Sequence, residues 1–90
     1  MSRIAVIADQ YTADVFQLTD FDVEIADEKN VLEKITEKLG LDYSVIYISD
    51  ILTENITENL NEIKQSTKAI IVIIPGVGSK QLILNKEENN

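Results

Sequence analysis

The sequence contains no cysteine. That excludes a disulfide framework, a thiol nucleophile and a zinc–thiolate centre. It contains no histidine either, which removes the commonest metal ligand and the side chain that titrates near neutrality. A hydrolase built on this chain would have to work with carboxylates, lysine or tyrosine alone. Proline occurs once and glycine three times, too rarely for a collagen-like or linker-dominated chain. Basic residues are scarce: 8 Lys and Arg stand against 16 Asp and Glu, giving a net charge of −8 and a pI near 4.3. Such a field repels nucleic-acid phosphates and an anionic membrane surface. It suits a basic protein partner. Long hydrophobic runs are missing as well. The longest, Ala69 to Ile74, falls far short of the roughly 20 residues of a membrane span. The start, Met1-Ser2-Arg3-Ile4, leads into an apolar run too short for a secretory signal. These absences point to a soluble intracellular protein without direct membrane insertion.

What remains is an ordinary globular composition, 44% apolar and 27% charged over 90 residues, enough for one domain. A chain of this size buries roughly 60–65% of its unfolded surface, and a net stability of about 5–10 kcal/mol is expected.

Strands and helices alternate along the chain. Ile4 to Ala8 is a continuous apolar run stopped by Asp9, the pattern of a strand buried on both faces. Tyr11 to Leu18 reads as a short helix with Ala13, Val15 and Phe16 inward. Phe21-Asp22-Val23-Glu24-Ile25 alternates apolar and acidic residues, as an edge strand does. Asp27 is a fitting N-cap for a helix whose Val31, Leu32, Ile35 and Leu39 share one face. Within that helix Glu33/Glu37 and Lys34/Lys38 are like-charge pairs, so ion pairing is not its main support. Gly40 stands where a left-handed C-terminal residue belongs. Tyr43 to Ile48 reads as the third strand, and its extended form puts Tyr43 and Tyr47 on one face. Ser49 or Asp50 can cap the next helix, in which Leu52, Ile56, Leu60 and Ile63 form one stripe. Ala69 to Ile74, the most apolar segment, is the expected central strand, ended by Pro75. The order β-α-β-α-β-α-β predicts an α/β Rossmann-like sandwich with a four-stranded parallel sheet. The expected domain is 1–78, with 79–90 as a short C-terminal tail.

Chemistry-bearing motifs are few. In open parallel sheets ligands sit at the carboxyl ends of strands, and Asp9 and Asp50 both fall there. Two such carboxylates could hold Mg²⁺, with Asp50 accepting a phosphoryl group, and in outline this resembles a receiver-type signalling domain. Against it, Asp9 is followed by Gln10 rather than a second acid, and no fifth strand with a lysine follows Pro75. The structural alternative leaves Asp9 in a loop and Asp50 at a helix cap. Gly76-Val77-Gly78 lacks both the third glycine of a dinucleotide fingerprint and the Gly-Lys-Ser/Thr ending of a P-loop, and reads as a flexible turn. Asn55-Ile56-Thr57 fits a glycosylation sequon only formally, because no signal peptide precedes it. The tyrosine pair reads as core edge. No base is placed by spacing to activate a Ser, Tyr or Lys.

The opening from Arg3 to Leu18 resembles that of the F-subunit family of V/A-type rotary ATPases. Ala8-Asp9, Thr12 and Phe16-Gln17-Leu18 match that family's pattern, while Val15 replaces its usual glycine. Ile71-Val72-Ile73-Ile74-Pro75-Gly76 resembles the family's last core strand and its proline-containing end. The resemblance covers most of residues 3–76. It implies a non-catalytic central-stalk component of a proton- or sodium-translocating ATPase, without cofactor or metal. It further implies that the chain pairs with the coiled-coil D-subunit of the stalk that turns inside the catalytic hexamer, stands near the subunit that docks on the membrane rotor, and modulates ATP hydrolysis and synthesis. Such a protein is cytoplasmic, held at the membrane only through its complex, and monomeric when isolated, having no heptad seam of its own. Partner contacts are expected at Pro75, Gly76 and Val77 and at Leu82, Ile83 and Leu84. The last three form either a docking patch or a cover for the core edge. Family members usually end in a longer helix, so 79–90 reads as truncated or flexible.

Overall fold

The computed structural model describes residues 3–77. Over that range the elements alternate as expected: β1 (Ile4–Ala8), α1 (Gln10–Phe16), β2 (Asp22–Ile25), α2 (Val31–Gly40), β3 (Val45–Ser49), a 3-10 turn (Asp50–Leu52), α3 (Thr57–Ser66) and β4 (Ile70–Ile74). The four strands form one parallel sheet in the order β2-β1-β3-β4. The Rossmann-like α/β arrangement is therefore confirmed. The chain steps from β1 to β2 in one direction and from β2 to β3 and β3 to β4 in the other. Right-handed crossovers then place α1 on one face and α2 and α3 on the opposite face. The core divides accordingly. Ala5, Ile7, Ile46 and Ile48 pack with Val31 and Ile35 of α2 and with Leu52, Ile56 and Leu60. On the other face Val6 and Ala8 pack with Ala13 of α1, flanked by Phe16, Phe21, Val23 and Tyr47.

Several expectations are corrected. The apolar β4 is an edge strand of the described sheet, and the central strands are β1 and β3. Continuous apolarity reports burial on two faces but does not encode strand order. Helix α1 ends at Phe16, and Val15 points outward at 59% exposure, leaving Thr12 and Ala13 as its buried residues. Asp27 does not immediately precede α2. It caps the turn before it: its carboxylate accepts from the amides of Lys29 and Asn30, while the Asn30 side chain accepts from the Asp27 amide. Helix α2 runs through Gly40, and the left-handed residue is Asp42, with φ 62°. The amides of Asp42 and Tyr43 donate to the carbonyls of Leu39 and Lys38, a Schellman ending with Asp42 where glycine is commoner. That turn breaks the alternation, so Tyr43 packs under α2 while Tyr47 lies on the α1 face beside Phe21. The third helix is split into the 3-10 turn and α3, yet Leu52, Ile56 and Leu60 remain buried on one side.

The like-charge pair Lys34 and Lys38 has a partner outside its helix. Both ammonium groups lie 3.0 Å from opposite oxygens of Glu24 on β2. Hydrogen bonds from Lys34 and then Lys38 outweigh the cost of burial and hold the Glu24 carboxyl below its ordinary value of 4.5. A depressed folded-state value means that this stabilisation is fully present above the unfolded-chain pKa and is lost as pH falls through the folded one. Glu24→Gln is expected to destabilise the protein by about 1 kcal/mol at pH 7. Urea unfolding at pH 7 and at pH 3 checks this: the gap between variant and wild type must shrink at the lower pH.

Candidate functional site

The sheet reverses its winding between β1 and β3, and ligands of open α/β sheets gather in the crevice outside that point. Here the crevice is built from Asp9, which follows β1, from Ser49 and Asp50 at the end of β3, and from the segment leaving β4. Asp9 is the N-cap of α1: its Oδ2 accepts from the Thr12 amide at 3.2 Å, and its Oδ1 accepts from the Ser49 hydroxyl at 2.8 Å. Burial opposes ionisation of Asp9, but hydrogen bonds from the Thr12 and Ser49 side chains and the Thr12 amide prevail, and its pKa is lowered. Ser49 is fully buried and donates to Asp9 rather than capping the turn that follows it.

The chain leaving β4 enters this crevice. The Gly76 amide donates to Asp50 Oδ1 at 3.0 Å, and the Val77 amide donates to Thr12 Oγ1 at 2.9 Å. Gly76 is buried against Ser49, Ile51 and Thr12, so closely that a Cβ would stand 2.5 Å from Ser49 Oγ. The protein's own backbone thus occupies the place where a ligand of this fold would lie. Asp50 and Thr12 anchor it. Asp9, expected in a loop, caps α1 and holds Ser49, while Asp50, expected as a helix cap, accepts from the Gly76 amide with its side chain. Both carboxylates have structural work, which favours that use over the phospho-acceptor one. Among the described residues no three His, Cys, Asp or Glu side chains converge as a metal site would require. Gly76-Val77, expected to be a flexible turn, is held at both amides. Pro75 and Val77 are exposed and Gly76 is buried. Leu82, Ile83 and Leu84 lie outside the described residues.

At the opposite end of the strands, Tyr43 donates its hydroxyl to Asp22 and accepts from Arg3 Nη2 at 3.0 Å. The Arg3 guanidinium also lies 4.2 Å above the Tyr43 ring centre. The hydrogen bond to Asp22, together with burial, raises the Tyr43 pKa. This arrangement ties the start of β1 to β2 and to the turn after α2. It is a structural clasp that sequence spacing could not reveal, because its members are far apart along the chain.

The surface also carries large apolar side chains. Tyr11, Val15 and Leu18 project from α1 and the turn after it at 73%, 59% and 95% exposure, and Ile70 stands out from β4 at 61%. The charge is also unevenly spread. Between Arg3 and Lys29 the chain has no basic residue, while Asp9, Asp14, Asp20, Asp22, Glu24, Asp27 and Glu28 fall in that stretch. The lysines of the helices, Lys34, Lys38 and Lys64, belong to α2 and α3 on the opposite face, but that face also holds Glu33, Glu37, Glu58 and Glu62, and Glu24 of β2 reaches it to pair with Lys34 and Lys38. No helix among the described residues is long and apolar enough to cross a membrane.

Compared with protein families, residues 4–87 match the one described as ATP synthase (F/14-kDa) subunit. No curated protein matches the chain.

Proposed function

The chain belongs to the ATP synthase (F/14-kDa) subunit family, and from that premise we propose that it is a non-catalytic central-stalk component of a V/A-type ATPase. In this reading it pairs with the coiled-coil D-subunit of the stalk inside the catalytic hexamer, couples rotation to catalysis and modulates ATP turnover. It reaches the membrane only through the complex, on its cytoplasmic side, and is a monomer when free. The observation that carries the proposal is the family match, which spans nearly the whole chain. The filled crevice supports it: the fold's usual ligand position is taken by Gly76 and Val77, so the likeness to ligand-binding sheets stops at the topology. The exposed Tyr11, Val15, Leu18 and Ile70 support it too, since a protein built into an assembly needs faces to bury.

The test is reconstitution. The full chain, mixed with the purified coiled-coil stalk protein of the same organism, should elute from size exclusion as a one-to-one complex, and free chain should elute as a monomer. Adding the chain to a complex of the hexamer and the coiled coil that lacks it should change the ATPase rate. If no complex forms over a range of salt, and the rate is unaltered, the stalk assignment fails.

A further inference from the structure

The α1 face of the sheet is only half covered by the described elements. Helix α1 lies over β1 and β2. Beyond it, β3 and β4 present paired residues on the same face, Val45 beside Ile70 and Tyr47 beside Val72, with Ile74 next to Ser49. Among the described residues, Val45, Ile70, Val72 and Ile74 pack into neither core cluster. Ile70 is 61% exposed and the other three are partly exposed. Parallel sheets are ordinarily covered on both faces. Two strands of five residues offer a strip about 17 Å long and about 10 Å wide, the footprint of some three turns of helix. One side of the strip is bordered by α1, whose only charge is Asp14, with Asp9 before it and Asp20 after it.

We infer that the β3–β4 half of the α1 face is the docking surface for a helix of another protein of the stalk, with an apolar stripe flanked by lysine or arginine. This inference rests on the stalk reading given above. An apolar helix is recognised by a matching apolar strip, and basic flanks answer Asp14 of α1 and Asp20 in the turn after it. A second copy of this chain fits worse, because it would set the same acidic border against itself at a net charge of −8 per chain.

The absence of cysteine allows a direct test in the full-length chain. Ile70→Cys and Leu41→Cys each introduce a single thiol at an exposed site, Leu41 being 52% exposed at the end of α2. Both should react with a maleimide at similar rates in the free protein. The coiled-coil stalk protein, added at one equivalent, should slow the reaction at position 70 by at least about tenfold and leave position 41 unchanged. Ile70→Glu, at a site already open to water, should leave the melting temperature nearly unchanged and weaken binding of the coiled coil by about tenfold or more. Asp14→Lys should weaken it at low salt, with the effect fading at about 1 M salt.

If the complex forms but position 70 stays reactive, this surface is wrong and the stalk reading survives. If the thiol at position 70 is already protected in the free monomer, the chain's own remaining residues cover the strip and the inference falls. Protection that grows with protein concentration and vanishes with Ile70→Glu assigns the strip to a second copy and likewise overturns it. If the coiled coil does not bind at all, both readings fall together.

Discussion

Ile48→Ala is expected to destabilise the protein by about 2–5 kcal/mol, close to half of the stability a 90-residue domain can hold. Ile48 is fully buried in β3, one of the two central strands. Its register partners are Ile7 on β1 and Ile73 on β4, and the same cluster includes Val31, Ile35, Leu52, Ile56 and Leu60. Truncation leaves a cavity between a sheet and two helices, and backbones on both sides are fixed by strand pairing, so little collapse can offset the loss. The urea midpoint should fall with the slope unchanged. The informative comparison is Ile70→Ala. That residue is also an isoleucine in a strand, but it is 61% exposed, so in the free chain its truncation should cost less than about 1 kcal/mol. Equal losses at the two positions would mean that the sheet order, or the exposure of the β4 face, is wrong.

That contrast also shows what the sequence could convey. The succession of strands and helices was legible because each segment carries its own period. The edge position of β2 was legible because Asp22 and Glu24 alternate with Val23 and Ile25. The stripe of Leu52, Ile56 and Leu60 was legible even though the helix bearing it is broken, since the turn between Leu52 and Thr57 keeps the spacing on one side. The place of β4 was not legible. Five apolar residues in a row announce that two faces want cover, but the cover can be another strand's helices or another molecule. The Lys34–Glu24–Lys38 bridge and the Arg3–Tyr43–Asp22 clasp were hidden for a different reason: each joins segments whose adjacency exists only after the sheet has assembled. At the candidate site, the strand-end positions of Asp9 and Asp50 were readable from where the apolar runs stop. Their use was not. It depends on Gly76 and Val77 returning into the crevice after β4, a long-range contact that no local pattern records.

Gly76→Ala tests that return directly, and it should destabilise the protein by about 1–3 kcal/mol, lowering the melting temperature by roughly 5–20 °C in a domain of this size. A Cβ at position 76 would stand 2.5 Å from Ser49 Oγ and 2.9 Å from both Ile51 Cδ1 and Thr12 Oγ1. The Ile51 methyl can move aside. The two oxygens cannot move cheaply: Ser49 is fully buried and donates to Asp9, and Thr12 accepts from the Val77 amide. Relief must therefore come from the backbone, which would pull the Gly76 amide off Asp50 Oδ1 and leave the carboxylate without that partner. The origin of the loss can be separated from any general dislike of alanine there. Ser49→Ala alone removes the hydroxyl and one hydrogen bond to Asp9, costing about 1 kcal/mol. Combined with Gly76→Ala it also removes the nearest obstacle, so the double variant should be more stable than the two single losses added together, by about 0.5 kcal/mol or more. Strict additivity would show that the crevice does not grip the chain at Gly76. A positive coupling would show that the space reserved at this sheet's switch point is shaped to the protein's own backbone.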